Sequence, residues 1–141
     1  MLGGAGRFTS EVFLEAVENG AYEFYLRPDS SIPIVYIVDA IKSFLLIHDA
    51  PEENLTRRSY NIHARGVTPE QLEAVVKARL PHVKITYKPE PVQTAMVDSW
   101  PHSLNDCHAR EDWGWQETYD LQRMADEVIA TLQKQKESTD A

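Results

Sequence analysis

The chain has 141 residues, of which 43% are hydrophobic and 26% charged, ordinary values for one folded domain that argue against wholesale disorder. Its 14 Lys and Arg against 22 Asp and Glu give a net charge of −8, and because phosphate binding needs a basic face, nucleic acid is not expected as a partner. No apolar run approaches the roughly 20 residues that cross a bilayer, no targeting segment is visible, and the single Cys107 forbids an internal disulfide.

The N-terminal part of the chain predicts a helix followed by a short strand. We expect the helix over 9–19, because Thr9 or Ser10 can cap its first turn and Gly20 can end it in a left-handed conformation. The aromatic run 22–26 that follows is typical of a strand.

Two further strands are predicted on either side of a second helix. The continuous apolar run 33–38 is typical of a strand covered on both faces, and Asp39 directly after it can cap a helix. Residues 59–63, with the sequence Ser-Tyr-Asn-Ile-His, predict the next strand. Because a helix separates the two strands, we expect them to pair in parallel as a βαβ unit.

The clearest helix start in the chain is at Thr68. Thr68 can act as the N-cap, Pro69 fits the first helical position, and Gln71 can bond back to the cap. The alternating run 83–87 predicts a strand after this helix.

The C-terminal third predicts an ordered loop and two helices. Residues 98–103 are expected to form a loop that leads into a short helix ending at Gly114, and the last helix is expected to begin near Asp120. The alternation of strands and helices predicts an α/β protein, with 1–133 as the folded portion and 134–141 as a polar tail.

The sequence positions argue against three common kinds of site, which are a dinucleotide-binding turn, a tyrosine–lysine acid–base pair and a zinc site. The run Gly3-Gly4-Ala5-Gly6 superficially echoes the glycine-rich turn of dinucleotide-binding folds, but only two residues precede it, so no strand can deliver it. None of the six tyrosines has a lysine four residues later, which excludes that acid–base pair from this chain. The histidines and Cys107 lack the paired short spacings of a zinc site, so no metal is expected.

Trp100 is the side chain that the predicted elements explain least. It lies in the loop 98–103, where neither helical spacing nor a cap accounts for a large ring. Two interpretations stay open, a lid over the core or a contact with a ligand, since functional residues concentrate on loops. Trp113 and Trp115 are instead expected to seal the junction between helix and sheet.

Short stretches spread over the chain carry a family pattern. They are Tyr-Leu-Arg-Pro-Asp at 25–29, the run 33–40 that ends in Tyr-Ile-Val-Asp-Ala, Ser-Tyr-Asn at 59–61 and Thr-Pro-Glu at 68–70. This set resembles the C-terminal half of extended short-chain dehydrogenases of the sugar-epimerase family. Within that family, Asp-Ser-Trp-Pro at 98–101 followed by Ala-Arg-Glu-Asp-Trp-Gly-Trp at 109–115 is closely similar to the NAD-dependent L-threonine 3-dehydrogenases.

The resemblance covers about residues 3 to 132 and implies part of a Rossmann-type parallel sheet with a small substrate-binding lobe. In the family, the nucleotide turn and the Ser/Thr, Tyr and Lys catalytic residues lie upstream of every stretch found here. The resemblance therefore implies a C-terminal portion with no catalytic residue and no cofactor of its own. The full-length enzymes oxidise L-threonine to 2-amino-3-oxobutyrate with NAD, whereas this chain alone is expected to be an inactive, truncated substrate lobe.

The resemblance places the substrate contacts at Gly4, Ala5, Gly6 and Trp100. The family usually has Gly-Thr-Thr where this chain has Gly-Ala-Gly, so two hydroxyl groups that could bind the zwitterion are missing. Backbone N–H groups are then expected to hold the carboxylate of a small amino acid, because glycines permit close approach.

Two other interpretations of the whole chain stay open. One is a non-catalytic interaction module that forms a homo-oligomer through the exposed edge of its incomplete sheet. The other is a fragment related to sugar-nucleotide epimerases, against which the Trp100 signature argues. The compartment also stays open, because the family is mitochondrial in animals and cytoplasmic in bacteria.

Overall fold

Helices and short strands alternate along the chain. The computed structural model describes Gly4, residues 6–63 and residues 65–139. The helices are α1 (Phe8–Glu18), α2 (Ile37–Asp49), α3 (Pro69–Arg79), α4 (Pro91–Asp98), α5 (Cys107–Trp113) and α6 (Leu121–Thr139), and the strands are β1 (Ala21–Phe24), β2 (Ile32–Ile34), β3 (Arg65–Val67) and β4 (Lys84–Tyr87). The predicted α/β class is confirmed.

In the part of the chain that the structure describes, the strands form two separate pairs. β1 and β4 run parallel, with Ala21 opposite Lys84 and Phe24 opposite Tyr87. β2 and β3 run antiparallel, with Ile32 opposite Val67. The β1–β4 pair is thus a small parallel sheet.

The parallel βαβ unit expected around α2 is wrong. Residues 59–63 form no strand, and the chain instead pairs β3, which begins at Arg65, with β2 in the antiparallel direction. A strand needs a partner beside it, and β2 makes its pairing with β3.

α2 begins earlier than predicted, so Asp39 is not its N-cap. The N-cap is Tyr36, whose backbone is extended (φ −71°, ψ 144°), and Asp39 lies fully buried in the first turn. The Asp39 carboxylate accepts the backbone N–H groups of Thr118 (2.9 and 3.0 Å) and Tyr119 (2.9 Å), and also the Thr118 hydroxyl. β2 is correspondingly short, because the helix takes up the end of the apolar run that predicts it.

α1 confirms the first predicted helix but not its cap. The helix starts at Phe8, and the Thr9 hydroxyl donates backwards to the carbonyl of Gly6 (3.0 Å). The Ser10 hydroxyl likewise donates to a preceding carbonyl, so neither side chain accepts from the first turn. At the other end, Gly20 has φ +67° and ends the helix region as predicted.

α3 confirms the predicted start and is joined to α6. The N–H of Gln71 donates to the Thr68 hydroxyl (3.3 Å), and the N–H of Thr68 donates to the Gln71 side chain (3.1 Å), with Pro69 in the first turn. At the end of α3, the Arg79 guanidinium pairs with Asp126 of α6 (2.6 Å). The two helices are thereby held side by side.

The main core lies between α1, α3 and α6 and the β1–β4 pair. Phe8 meets Phe24 edge to face with 6.2 Å between ring centroids, and Phe24 stacks on Tyr87 at 5.3 Å. Such aromatic pairs add about 0.5–1.5 kcal/mol each to the stability that comes from burial. Further core side chains with 2% exposure or less are Val12, Phe13, Ala16, Leu26, Val67, Leu72, Val75, Val76, Val97 and Ala125.

A second, smaller core joins α2 and α5. Trp113 and Trp115 of this core lie 6.3 Å apart, and Tyr60 meets Trp113 at 5.8 Å. The side chains around them are Val35, Leu46, Ile47, Ala50, Leu55, Ile62 and Ala109. The tryptophans therefore seal a junction between helices and the segment before β3, rather than the predicted junction between helix and sheet.

Two C-terminal helices differ from the prediction. α4 occupies a stretch for which no helix is predicted, and the Glu90 carboxylate caps it by accepting two backbone N–H groups, the shorter from Gln93 at 2.8 Å. α6 continues through Thr139, so residues 134–139 of the expected tail are helical. Among the described residues, no helix is both long and apolar enough to span a membrane.

Candidate functional site

The loop before α1 and the loop after α4 meet at Gly6 and Trp100. A methyl group placed on Gly6 would lie 3.9 Å from Cζ3 of Trp100 and 3.7 Å from Cδ1 of Ile32. A methyl group on Gly4 would meet nothing within 4 Å. Ala5 lies outside the described residues. The structure thus brings Gly6 and Trp100 into near contact, and it leaves the space around Gly4 open.

The end of α4 holds Trp100 in place. The Trp100 N–H donates to the carbonyl of Val97 (3.0 Å). The Asp98 carboxylate accepts a hydrogen bond from the Ser30 hydroxyl (3.1 Å) and pairs with the Arg27 guanidinium (2.8 Å). These contacts fix the loop against the turn before β2. The Trp100 side chain is 36% exposed, so part of it stays open to a ligand.

Gly66 on β3 sets how closely the loop after Trp100 approaches the sheet. A methyl group on Gly66 would lie 2.8 Å from the carbonyl oxygen of His102 and 3.1 Å from Oγ of Ser31. A side chain would collide with that backbone, so the crossing depends on glycine. Sequence reasoning missed this residue, because a glycine signals a close backbone approach only inside a recognised strand and no strand is predicted over 65–67.

The first backbone N–H groups of the α1 region are mostly used inside the protein. Arg7 donates to the Gly4 carbonyl (3.1 Å), and Phe8 donates to the hydroxyl of Tyr25 (3.0 Å). The N–H groups of Gly4 and Gly6 donate to no residue in the described ranges 6–63 and 65–139. Within the described residues these two backbone donors are therefore not used, and Gly6 is the one of the two that lies next to Trp100.

An apolar groove of about 650 Å³ runs from the start of α1 to the start of α2. Thr9 and Ser10 line it at one end and Tyr36 and Ile37 at the other, and side chains of α6 line its flank. The groove connects the residues that follow the glycine loop with the first turn of α2.

The curated relatives that match include L-threonine 3-dehydrogenases and uncharacterized epimerase/dehydratases. No protein-family model matches the chain. The mitochondrial L-threonine 3-dehydrogenase of Bos taurus is 40% identical over 130 residues, which are 92% of this chain but 34% of that protein. An uncharacterized epimerase/dehydratase of Staphylococcus haemolyticus is 30% identical over 137 residues, which are 96% of this chain and 43% of that protein.

Solved structures agree with these relatives. L-threonine dehydrogenase from Phytophthora infestans superimposes with a TM-score of 0.89 at 33% identity, over 95% of this chain and 43% of that chain. In sequence and in structure the chain is similar to the C-terminal part of epimerase/dehydratase-type L-threonine dehydrogenases, and it spans less than half the length of each. UDP-glucose 4-epimerase from Thermotoga maritima, with a TM-score of 0.71 at 22% identity, shows the shared fold alone.

The two signature stretches of this threonine-dehydrogenase-like chain have different roles. Residues 98–101 reach the candidate site through Trp100, whereas 109–115 fasten α5. In the second stretch, Arg110 pairs with Asp106 (2.9 Å), and Trp115 Nε1 donates to the same carboxylate (3.0 Å). Burial raises the pKa of Asp106, but these hydrogen bonds outweigh burial and bring the pKa below its usual value.

Five tyrosines have a pKa above the usual value, which is the opposite of what a tyrosine base needs. They are Tyr22, Tyr25, Tyr36, Tyr87 and Tyr119. Burial is the largest cause for Tyr22, and the adjacent Glu11 carboxylate adds to it. For Tyr119 the hydrogen bond to Glu127 comes first. A raised pKa keeps the phenol protonated near neutral pH, and a protonated phenol cannot accept a proton from a substrate hydroxyl.

The glycine loop does not fit a dinucleotide turn. In that turn a strand delivers the glycines to a helix N-terminus, whereas the first strand of the described chain, β1, comes after α1. The described residues also contain no group of three His, Cys, Asp or Glu side chains arranged for a metal ion.

Proposed function

We propose that this chain is the substrate-binding portion of an L-threonine-dehydrogenase-type enzyme. In this role the loop Gly4-Ala5-Gly6 binds the carboxylate of a small amino acid through backbone N–H groups, and Trp100 covers the rest of the ligand. The observation that carries the proposal is the near contact of Gly6 with Trp100, in a chain that is 40% identical to the bovine enzyme where the two match.

The proposed role is to bind and orient the amino acid, not to oxidise it. Oxidation of L-threonine to 2-amino-3-oxobutyrate moves a hydride from the hydroxyl carbon to NAD, which needs a nicotinamide at near-contact distance and a base for the hydroxyl proton. The glycine loop does not have the form of a coenzyme-binding turn, and the five tyrosines with a raised pKa are unsuited to act as the base. We therefore assign both to other residues of the enzyme.

Ligand binding is testable through Trp100, because it is 36% exposed while Trp113 and Trp115 are buried. We expect L-threonine to change the tryptophan fluorescence of the chain and the NMR shifts of the Gly4 and Gly6 amides. Trp100→Phe should remove the fluorescence response, and Trp113→Phe should keep it as the matched control. A response that survives Trp100→Phe, or amide shifts confined to another part of the chain, would contradict the assigned site.

The division of labour is testable by activity. The purified chain mixed with NAD and L-threonine should produce no NADH, measured by absorbance. Steady NADH formation by this chain alone would show that it holds both the coenzyme and the base.

A further inference from the structure

A polar cavity of about 370 Å³ lies between residues 57–61 and the start of α5. Apart from Ala109, its lining residues carry polar side chains, and these include Arg57, Ser59, Asn61, Asn105, Asp106 and His108. We refer to it as the α5 cavity. Its lining is the opposite of that of the apolar groove beside α1, so a ligand of the α5 cavity would be a polar molecule.

The acidic residue of the α5 cavity is already bonded within the chain. Oδ1 of Asp106 accepts a hydrogen bond from Nε of Arg110 (3.0 Å), and Oδ2 accepts one from Nε1 of Trp115 (3.0 Å). The same guanidinium also pairs with Oδ2 at 2.9 Å. Because both carboxylate oxygens have donors and the negative charge has a cation beside it, Asp106 is not a ligand in search of a metal ion.

A chain of hydrogen bonds holds the backbone of Arg57 at the cavity. The Arg57 N–H donates to the Tyr60 hydroxyl (3.2 Å), which in turn donates to Oδ2 of Asp112 (2.6 Å). The same oxygen accepts the N–H (3.0 Å) and the hydroxyl (2.6 Å) of Thr56. The position of Arg57 is therefore fixed by the fold before any ligand binds.

Three side-chain donors of the α5 cavity have no hydrogen-bond partner in the part of the chain that the structure describes. They are the Arg57 guanidinium, which also forms no ion pair there, the Ser59 hydroxyl and the ring nitrogens of His108. The N–H of Cys107 is different, because it donates to the Asn105 side chain (3.0 Å). The unused donors thus belong to side chains and not to the start of α5.

We propose that the α5 cavity binds a phosphate group, either as free phosphate or as part of a small phosphorylated molecule. The planar Arg57 guanidinium can pair with two phosphate oxygens at once, and Ser59 and His108 can donate to the remaining oxygens. The cavity volume lies in the range of about 300–1,000 Å³ that is typical of small-molecule sites, so there is room for more than the anion alone. None of its residues belongs to the candidate amino-acid site, so this ligand is additional to the proposed function.

Other ligands match the α5 cavity less well. A carboxylate has two oxygens for three separate donors, whereas a phosphate group has three oxygens even when it is esterified. Nucleic acid would need a basic face, and the net charge of the chain is −8. A small phosphate-bearing molecule meets the local charge without needing that face.

The test is a titration of the isotope-labelled chain with inorganic phosphate and, separately, with glycerol 3-phosphate, at constant ionic strength and followed by amide NMR shifts. We expect saturable shifts that are largest around Arg57, Ser59 and His108. Arg57→Gln should weaken binding by about ten-fold or more, because it removes a charge-assisted, bidentate contact. Arg58→Gln is the matched control, since it removes the same charge from a neighbour that does not line the cavity, and it should change the affinity by less than about two-fold.

The two probes distinguish the two sources of the phosphate group. Tighter binding of glycerol 3-phosphate would support a phosphorylated molecule, and tighter binding of inorganic phosphate would support the free anion. Both arginines are exposed, so both glutamine variants should stay folded, which melting curves check. Arg57→Lys keeps the charge but not the fork of two donors, and its affinity should lie between those of the wild type and Arg57→Gln.

Four outcomes would overturn the phosphate site. They are the absence of saturable shifts with both probes, shifts confined to another part of the chain, equal losses for Arg57→Gln and Arg58→Gln, and binding of acetate as tight as that of phosphate.

Discussion

The region around α1, α3 and α6 turns its apolar side chains inward, whereas α2 turns five of them outward and buries Asp39 and Ser43. Both regions are made of amphipathic helices on short strands. In the first, the helices cover one another and the β1–β4 pair, so the apolar pattern is satisfied within the chain. In the second, one face of α2 packs near Trp113 of α5 and Trp115 after it, and the other face lies open. Amphipathic spacing therefore identifies a face to be covered but not what covers it.

The largest expected effect on stability comes from a comparison of two variants, each of which removes one phenylalanine ring, the first in the main core and the second on α2. Phe13→Ala in the main core should lower the free energy of unfolding by about 3–5 kcal/mol, because a 1% exposed ring leaves a cavity. Phe44→Ala should change it by no more than about 0.5 kcal/mol, since that ring is 71% exposed. Urea denaturation of the two variants measures the difference. Equal losses would mean that the outward face of α2 is covered in the isolated chain.

A smaller effect is expected from the buried carboxylate that anchors α2. Asp39→Asn should lower the free energy of unfolding by about 1–3 kcal/mol, because the backbone N–H groups of Thr118 and Tyr119 lose a charged acceptor. The exposed Asp49→Asn on the same helix is the control and should have little effect.

The same carboxylate predicts a pH dependence. Burial raises the pKa of Asp39, but its hydrogen bonds with Thr118 and Tyr119 outweigh burial and lower the pKa below the usual value. A pKa lower in the folded than in the unfolded state stabilises the fold above the unfolded value, and this contribution is lost as the pH falls through the folded value. The wild-type chain should therefore lose more stability than Asp39→Asn between about pH 5 and pH 2, measured by melting curves. Parallel curves would contradict this.

The smallest effect separates two threonines at helix starts. Thr68→Ala should lower the free energy of unfolding by about 1 kcal/mol, because Thr68 accepts the Gln71 N–H in a reciprocal cap. Thr9→Ala should change it by less than about 0.5 kcal/mol, because the Thr9 hydroxyl accepts no N–H from its helix. Denaturation curves that rank these variants in the reverse order would contradict the cap assignment.

Local signals in the sequence predict local structure well in this chain. The reciprocal cap at Thr68 and the left-handed glycines at 20 and 114 act within a few residues, and the structure has all three. The cap of α4 at Glu90 is of the same kind and could have been found from the proline that follows it. Strand pairing is not local. The sequence therefore predicts a strand both at β2 and at 59–63, although β2 has a partner among the described residues and 59–63 has none.

The candidate site illustrates the same limit. Spacing alone singles out Trp100 as unexplained but does not say what it meets, since 94 residues separate it from Gly6. The family resemblance named both residues, and their near contact is a tertiary fact. The role of Gly66 is visible only in the structure, because the backbone that passes close to it belongs to His102, far along the chain.

The anchoring of α2 by Asp39 has a consequence for recognition. The carboxylate accepts hydrogen bonds from Thr118 and Tyr119 and so holds the first turn of the helix from its buried side. The exposed side chains of the helix take no part in these hydrogen bonds. A binding element that is already ordered loses little conformational entropy when it associates. The exposed face is thus preorganised, so that binding to it would cost little conformational entropy.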